Sequence, residues 1–312
     1  MYHAIESAKE TIYWQLYIMV DDRVGNPFFD LLEKKAQEGV KVRLVIDYWG
    51  SFALSKKRIK QLGDHGVDIR FFQERRKKFK GFWQKFSVRN HRKVLVIDEK
   101  IGFIGGVNID KNTEDWLDIH VYVRGKVVRS MLRSFAKQYI MCGGDKKVVA
   151  HLFKLRYRVT HDQIDFIFDQ PQHKYSRARK KYAEALQKAR ERVILFSPYY
   201  FPDKQFLKEL WRAKKRGVRV DLLIPFRTDL RFATYAAYTW FSIMRVYGVK
   251  IHLIKRMMHG KGVIVDDEWA MIGSSNIDHP SFYHNYEANI RLKNKFVVKK
   301  LKRILIGKKM QF

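Results

Sequence analysis

The chain states one arrangement twice. The segments ESAKETIYWQLYIMVDD, FFDLLEKKAQEGVKVRLVIDYWG, GVDIRFF, NHRKVLVIDEKIGFIGGVN and DIHVYVRG are answered in the same order by LQKARERVILFSPYYFPD, QFLKELWRAKKRGVRVDLLIPF, GVKIHLI, MHGKGVIVDDEWAMIGSSN and EANIRLKN. A repeat of whole segments in register restricts the fold to two copies of one supersecondary arrangement. Each copy reads as helix, strand, helix, strand, helix, strand and a closing hairpin. VKVRLVID and VRVDLLIP are β-branched runs that follow amphipathic helices ending at Gly39 and Gly217, and glycine is the common residue just past a helix C-terminus. Alternation of this kind predicts an α/β fold with a mixed sheet in each half. The expected organisation is a first half over 1–140, a connector with helical parts over 141–181, and a second half over 182–312 with a basic C-terminal tail.

The best-matched segment carries His91, Lys93, Asp98 and Asn108 in the first copy, and His259, Lys261, Asp266 and Asn276 in the second, at identical offsets. HRKVLVID and HGKGVIVDD alternate as strands do, so the histidine and the lysine two positions on share a face. The aspartates, five residues beyond each lysine, face away by the same parity and read as structural members of the motif. Two histidines and two lysines suit the covalent splitting of a phosphodiester, in which one imidazole attacks, the other moves protons, and fixed cations hold the developing charge. A lone H-x-K on a strand is ordinary surface decoration; the doubled pattern is what gives it weight. Gly105-Gly106 and Gly273-Ser274 fit a tight turn with close backbone approach, since no G-x-G-x-x-G follows a strand.

On these motifs the chain resembles the phospholipase D superfamily. Within it, EGVKVRLVIDYWGS, SPYYFPD, RGVRVDLLIP, VDDEWAMIGSSNID and SFYHNYEANI are similar to bacterial cardiolipin synthases. The resemblance implies two tandem α-β-α halves related by a pseudo-twofold axis, one active site shared between them, and no metal or other cofactor. It implies His91 as nucleophile, forming a phosphohistidine, and His259 as the acid and later the base. Lys93, Lys261, Asn108 and Asn276 are expected to hold the nonbridging phosphate oxygens. Each imidazole needs an acceptor for its second nitrogen; Glu287 is the matching acid in the family, and Asp118 is its first-half counterpart.

Composition narrows the partner. With 63 Lys+Arg against 32 Asp+Glu, the formal charge is +31, which favours a polyanion such as an anionic membrane or a nucleic acid. The single cysteine, Cys142, excludes an internal disulfide and a cysteine-cage metal site. No run is long and apolar enough to span a bilayer, so the expected location is peripheral, at the cytoplasmic side of the cell membrane. The aromatic and basic insertion Arg75–Phe86, the aromatic segment from Arg231 and the tail FVVKKLKRILIGKKMQF suit an interface of anionic headgroups.

Transfer of a phosphatidyl group between two phosphatidylglycerols is therefore the leading expectation. A phospholipase D hydrolase or a nuclease of the same superfamily is the alternative, and an idle binder of anionic surfaces a weaker one. A homo-oligomer is not required, because the duplication supplies both half-sites. Flanking segments present in longer relatives, including an amino-terminal membrane anchor, are expected to be missing.

Overall fold

A computed structural model describes residues 1–73, 88–155, 163–171, 176–229 and 231–309. The chain divides into two units, Met1–Glu114 with His120–His161, and Asp115–Ile119 with Asp162–Phe312. The insertion Arg75–Phe86 lies outside the described residues.

The first unit is built on six strands: β1 (Thr11–Leu16), β2 (Lys41–Asp47), β3 (Asp68–Phe72), β4 (Val94–Ile97), β5 (Ile101–Gly105) and β6 (His120–Arg124), in the order β3-β2-β1-β4-β5-β6. β1, β2 and β3 run parallel, while β4, β5 and β6 are joined antiparallel. Helices α1 (Tyr2–Glu6), α2 (Gly25–Gln37) and α3 (Lys56–Asp64) cover one face, where Phe29, Leu32 and Leu62 meet Ile12, Trp14, Leu16 and Leu44. Helix α4 (Val127–Met141) covers the other, with Phe135 against Tyr13 at 5.1 Å between ring centroids. All six residues of β1 are buried, as a strand covered by helices on both faces must be.

The second unit repeats the plan with seven strands: β7 (Ile164–Asp169), β8 (Arg192–Phe196), β9 (Arg219–Pro225), β10 (Val249–Ile254), β11 (Gly262–Val265), β12 (Trp269–Gly273) and β13 (Glu287–Leu292), ordered β10-β9-β8-β11-β12-β13-β7. Six of the seven reproduce the order of the first sheet, so each sheet is mixed, as the segment repeat predicts. Helices α6 (Arg177–Lys188), α7 (Lys204–Lys215) and α8 (Arg231–Val246) follow the same alternation. Tyr182, Phe206, Leu210 and Met244 pack on Val193, Leu195, Val220, Leu222 and Ile224 of the sheet. Gly39 and Gly217 adopt φ of +89° and +78° just past α2 and α7, as a helix C-terminus of this type demands.

The stretch 141–181 holds elements that go with one unit or the other. Helix α5 (Lys146–Lys154) belongs to the first unit, and β7 pairs antiparallel with β13 as an edge of the second sheet. Alternation in IDFIFD goes with this role, although no counterpart in the first copy announced it. The regular ladders of β4 and β11 also begin only after Lys93 and Lys261, yet the extended backbone continues outward. The Gly105 and Gly273 N–H groups reach the carbonyls of Lys93 and Lys261 at 3.4 and 3.3 Å.

Candidate active site

β4 enters the sheet antiparallel to β1, with Val94 opposite Gln15. His91 and Lys93 therefore lie at the carboxyl ends of the parallel strands, the usual place for a site in such sheets. β5 returns antiparallel to β4 and delivers Asn108 to the same end, where Ile109 bridges Met19. The second unit repeats this: His259 and Lys261 precede β11, Asn276 follows β12, and Ile277 bridges Tyr200.

In the first unit, Tyr17 reports which way the side chains point. Its ring lies 4.9 Å from the His91 ring and 4.9 Å from the Lys93 Nζ. One ring touching both places them on one face, as the H-x-K spacing predicts. Arg92, between them, is fully buried on the side of α4, its guanidinium 3.4 Å from the Gln138 amide oxygen. Lys93 Nζ donates to the carbonyl of His91 at 2.9 Å, and Lys261 Nζ likewise donates to the carbonyl of His259. Each lysine is thus anchored to the backbone of its own histidine.

The backbone before His91 is set by Asp47, at the end of β2. This fully buried carboxylate accepts from the Asn90 N–H at 2.7 Å and the Gly50 N–H at 2.9 Å. Burial pushes its pKa up to about 6, against the opposing effect of those N–H groups and of Arg89.

In the second unit, Asp115–Ile119 runs beside His259. The N–H groups of His259 and Gly260 donate to the Leu117 carbonyl at 2.8 and 3.2 Å. Asp118 Oδ2 lies 2.5 Å from His259 Nδ1, and the Trp116 ring packs on the imidazole at 4.9 Å. Burial alone would raise the Asp118 pKa. The charges of His259 and Lys261, with hydrogen bonds from His259 and the Ile119 N–H, outweigh it and hold the group well below the usual carboxylate range. An ionised carboxylate only accepts, so His259 donates from Nδ1, and Nε2 is the nitrogen left for chemistry.

Lys261 is 1% exposed. Burial pushes its pKa down to about 8, and Asp118, Glu287, Asp229 and Asp278 limit the fall. Asp278 is itself pushed up to about 6 by burial. Glu287, at the start of β13, is fully buried and accepts from the Ser274 hydroxyl. The amide oxygens of Asn108 and Asn276 are buried with no protein partner. Within each unit the asparagine thus keeps an unused polar atom at the end of the sheet where the histidine sits.

Asp98 and Asp266 stand at the other end of β4 and β11 from the histidine and lysine of their own unit, as strand parity predicts. Asp98 accepts from the backbone N–H groups of Lys9, Glu10 and Thr11 at 2.8–3.2 Å. Asp266 does the same for Arg190, Glu191 and Arg192 at 2.8–3.0 Å. Both sit at φ +49° in turns whose next residue also has positive φ, a conformation that Asp tolerates better than most. The motif aspartate therefore ties the start of β1 or β8 to a hairpin turn, for which a short carboxylate in a left-handed conformation is suited.

Sequence reasoning missed Asp47, Tyr17, Trp116 and Ser274. An aspartate ending a parallel strand was the one available signal. The aromatic residues carried none. Among the described residues, no cluster of His, Cys, Asp and Glu could hold a metal ion.

A doubled α/β sheet with His, Lys and Asn gathered at the carboxyl end of each copy defines the phospholipase D class of phosphodiester-handling proteins. The chain belongs to the family described as "Cardiolipin synthase, PLD-like domain", whose model matches residues 1–139 and 182–307. It is 35% identical over 311 residues to cardiolipin synthase 2 of Bacillus cereus, covering 96% of this chain and 60% of that protein. It is 33% identical to the cardiolipin synthase of Alkalihalophilus pseudofirmus over 308 residues, 96% of this chain and 61% of that one. The chain thus spans about 60% of the length of these relatives. In fold it is similar to the crystal structure of phosphatidylserine synthase from Haemophilus influenzae Rd KW20, with a TM-score of 0.75 at 14% identity over 99% of this chain and 83% of that one.

Proposed function

We propose that the chain is a cardiolipin synthase acting by covalent phosphatidyl transfer. His91 attacks the phosphorus of a phosphatidylglycerol, forming a P–N bond. The P–O bond to glycerol breaks as His259 gives its Nε2 proton to the departing oxygen. The hydroxyl of a second phosphatidylglycerol then loses its proton to His259 and attacks, the P–N bond breaks, and cardiolipin leaves with both imidazoles restored. One phosphodiester is exchanged for another, so no nucleotide is required.

The observation that carries this reading is the His259–Asp118 pair. It sets the tautomer and stabilises the imidazolium that gives up the first proton and is formed again by the second. Lys93 and Lys261, with Asn108 and Asn276, are assigned to the nonbridging oxygens, and Glu287 to orienting a histidine. The substrate assignment draws on the relatives named cardiolipin synthase. The location proposed with it is peripheral, on the cytoplasmic face of an anionic membrane. Among the described residues no helix is long and apolar enough to cross one.

The test is to offer phosphatidylglycerol vesicles and single-stranded DNA separately and to acid-quench turnover for mass spectrometry. Cardiolipin and a phosphatidyl adduct on His91 are expected. His91→Ala should abolish the adduct, while His259→Ala should slow its turnover. DNA cleavage without lipid turnover would overturn the substrate, phosphatidic acid as sole product would make the protein a hydrolase, and label on neither histidine would reject the covalent route.

A further inference from the structure

After the short helix α9 (His279–Tyr283), helix α10 (Lys295–Lys309) closes the described chain. At 1.5 Å per residue its 15 residues extend about 22 Å. Val298, Leu301 and Leu305 are buried and recur at the spacing of one helix face. Lys302 beside them pairs with Asp267 at 2.6 Å. This face is packed down firmly. Ile304 and Leu305 meet Leu117, Asp118, Ile119, Leu223, Ile254 and Met258 around only ≈ 30 Å³ of free space.

The rest of the helix surface has no such cover, with Ile304 at the edge of the docked face. Phe296 is 76% exposed, Ile304 46% and Val297 41%, and around them Lys295, Lys299, Lys300 and Arg303 are exposed too. No acidic residue follows Glu287 in the sequence. Cations interleaved with apolar side chains on one face, on a helix whose other face is already occupied, suit the boundary between phosphate headgroups and acyl chains. Single-stranded nucleic acid is the poorer fit. It needs several stacking rings, and here the apolar side chains other than Phe296 are aliphatic.

We propose that α10 is the element by which this protein rests on an anionic bilayer. Phe296, Val297 and Ile304 enter the headgroup layer while Val298, Leu301 and Leu305 stay docked. The inference deepens the lipid reading above and rests on it for the choice of surface. It also leaves a single helix between the bilayer and the surroundings of Asp118, the carboxylate that holds His259.

Phe296→Cys in a Cys142→Ser background gives a single thiol for a polarity-sensitive dye. Vesicles of phosphatidylcholine with phosphatidylglycerol are expected to shift its emission to the blue. Phosphatidylcholine alone and single-stranded DNA at matched phosphate should leave it unchanged. Phe296→Ser is expected to keep the wild-type melting temperature and to lose at least about tenfold in vesicle affinity. No pelleting with anionic vesicles, pelleting without a shift, a shift with DNA, or undiminished affinity of the serine variant would each overturn the proposal. Turnover of phosphatidylglycerol by the wild type in detergent micelles, where no bilayer is present, tests the catalytic reading separately. Its failure alongside a positive dye shift would leave the surface standing and remove the chemistry.

Discussion

In the first copy of the motif, the backbone entering the histidine is tied to a side chain, the buried carboxylate of Asp47 on the Asn90 N–H. In the second it is tied to main chain, the Leu117 carbonyl on the N–H groups of His259 and Gly260. Pro225 ends β9 where Asp47 ends β2, and proline offers no acceptor from its side chain. What the copies share is the strand carrying His and Lys, the lysine folded onto its histidine's carbonyl, and the aspartate holding the hairpin turn. What differs is how the backbone entering each histidine is held. A duplicated motif thus preserves its backbone frame more strictly than its supporting contacts.

Asp118→Asn should break the second half-site hardest. An amide can turn its NH2 toward Nδ1 and favour the wrong tautomer, so kcat is expected to fall on the order of 10²–10⁴, with KM changed little. Steady-state turnover of phosphatidylglycerol checks this, and an unaltered kcat would deny Asp118 its role.

Asp47→Asn probes the first half-site. Asparagine has one acceptor oxygen where Asp47 uses two, so the His91 entry should loosen and kcat fall about tenfold through misplacement. The same enzyme should show a smaller yield of phosphohistidine in a rapid quench. Equal losses at Asp47 and Asp118 would erase the contrast between side-chain anchoring and imidazole partnering.

A pH series sharpens it further. Burial sets the Lys261 pKa at about 8, so its ammonium is present below that pH and lost as pH rises through it. Turnover should therefore decline above pH 8. Lys261→Arg, whose guanidinium stays charged, should lack that decline even if its maximum is lower.

The smallest effects are expected where the copies agree most. Asp98→Ala and Asp266→Ala each remove the acceptor for three backbone N–H groups. Each should cost about 1–2 kcal/mol in urea unfolding, with turnover per folded molecule within about twofold. A large catalytic loss at either would give it a catalytic role instead of a structural one.

Much of this was legible from spacing. The repeat predicted two mixed sheets, and parity put His91 with Lys93 on one face and set Asp98 apart, because alternation along a strand is a local property. The role of β7 was not legible, since its partner β13 lies more than a hundred residues away. Nor was it legible that Asp118, 27 residues after His91, bonds His259. The two acids recur at similar offsets, so counting alone assigns neither to a histidine.

The order of residues by itself determined the doubled α/β frame and the chemical set of His, Lys and Asn at the carboxyl end of each sheet. Helix and strand periods are written into neighbouring residues. Tertiary structure alone decided that Asp118 sets the tautomer of His259, that Asp47 anchors the approach to His91, and that burial brings Lys261 close to neutral pH. Those outcomes depend on desolvation and on contacts between distant segments, which arise only once the chain has closed around them.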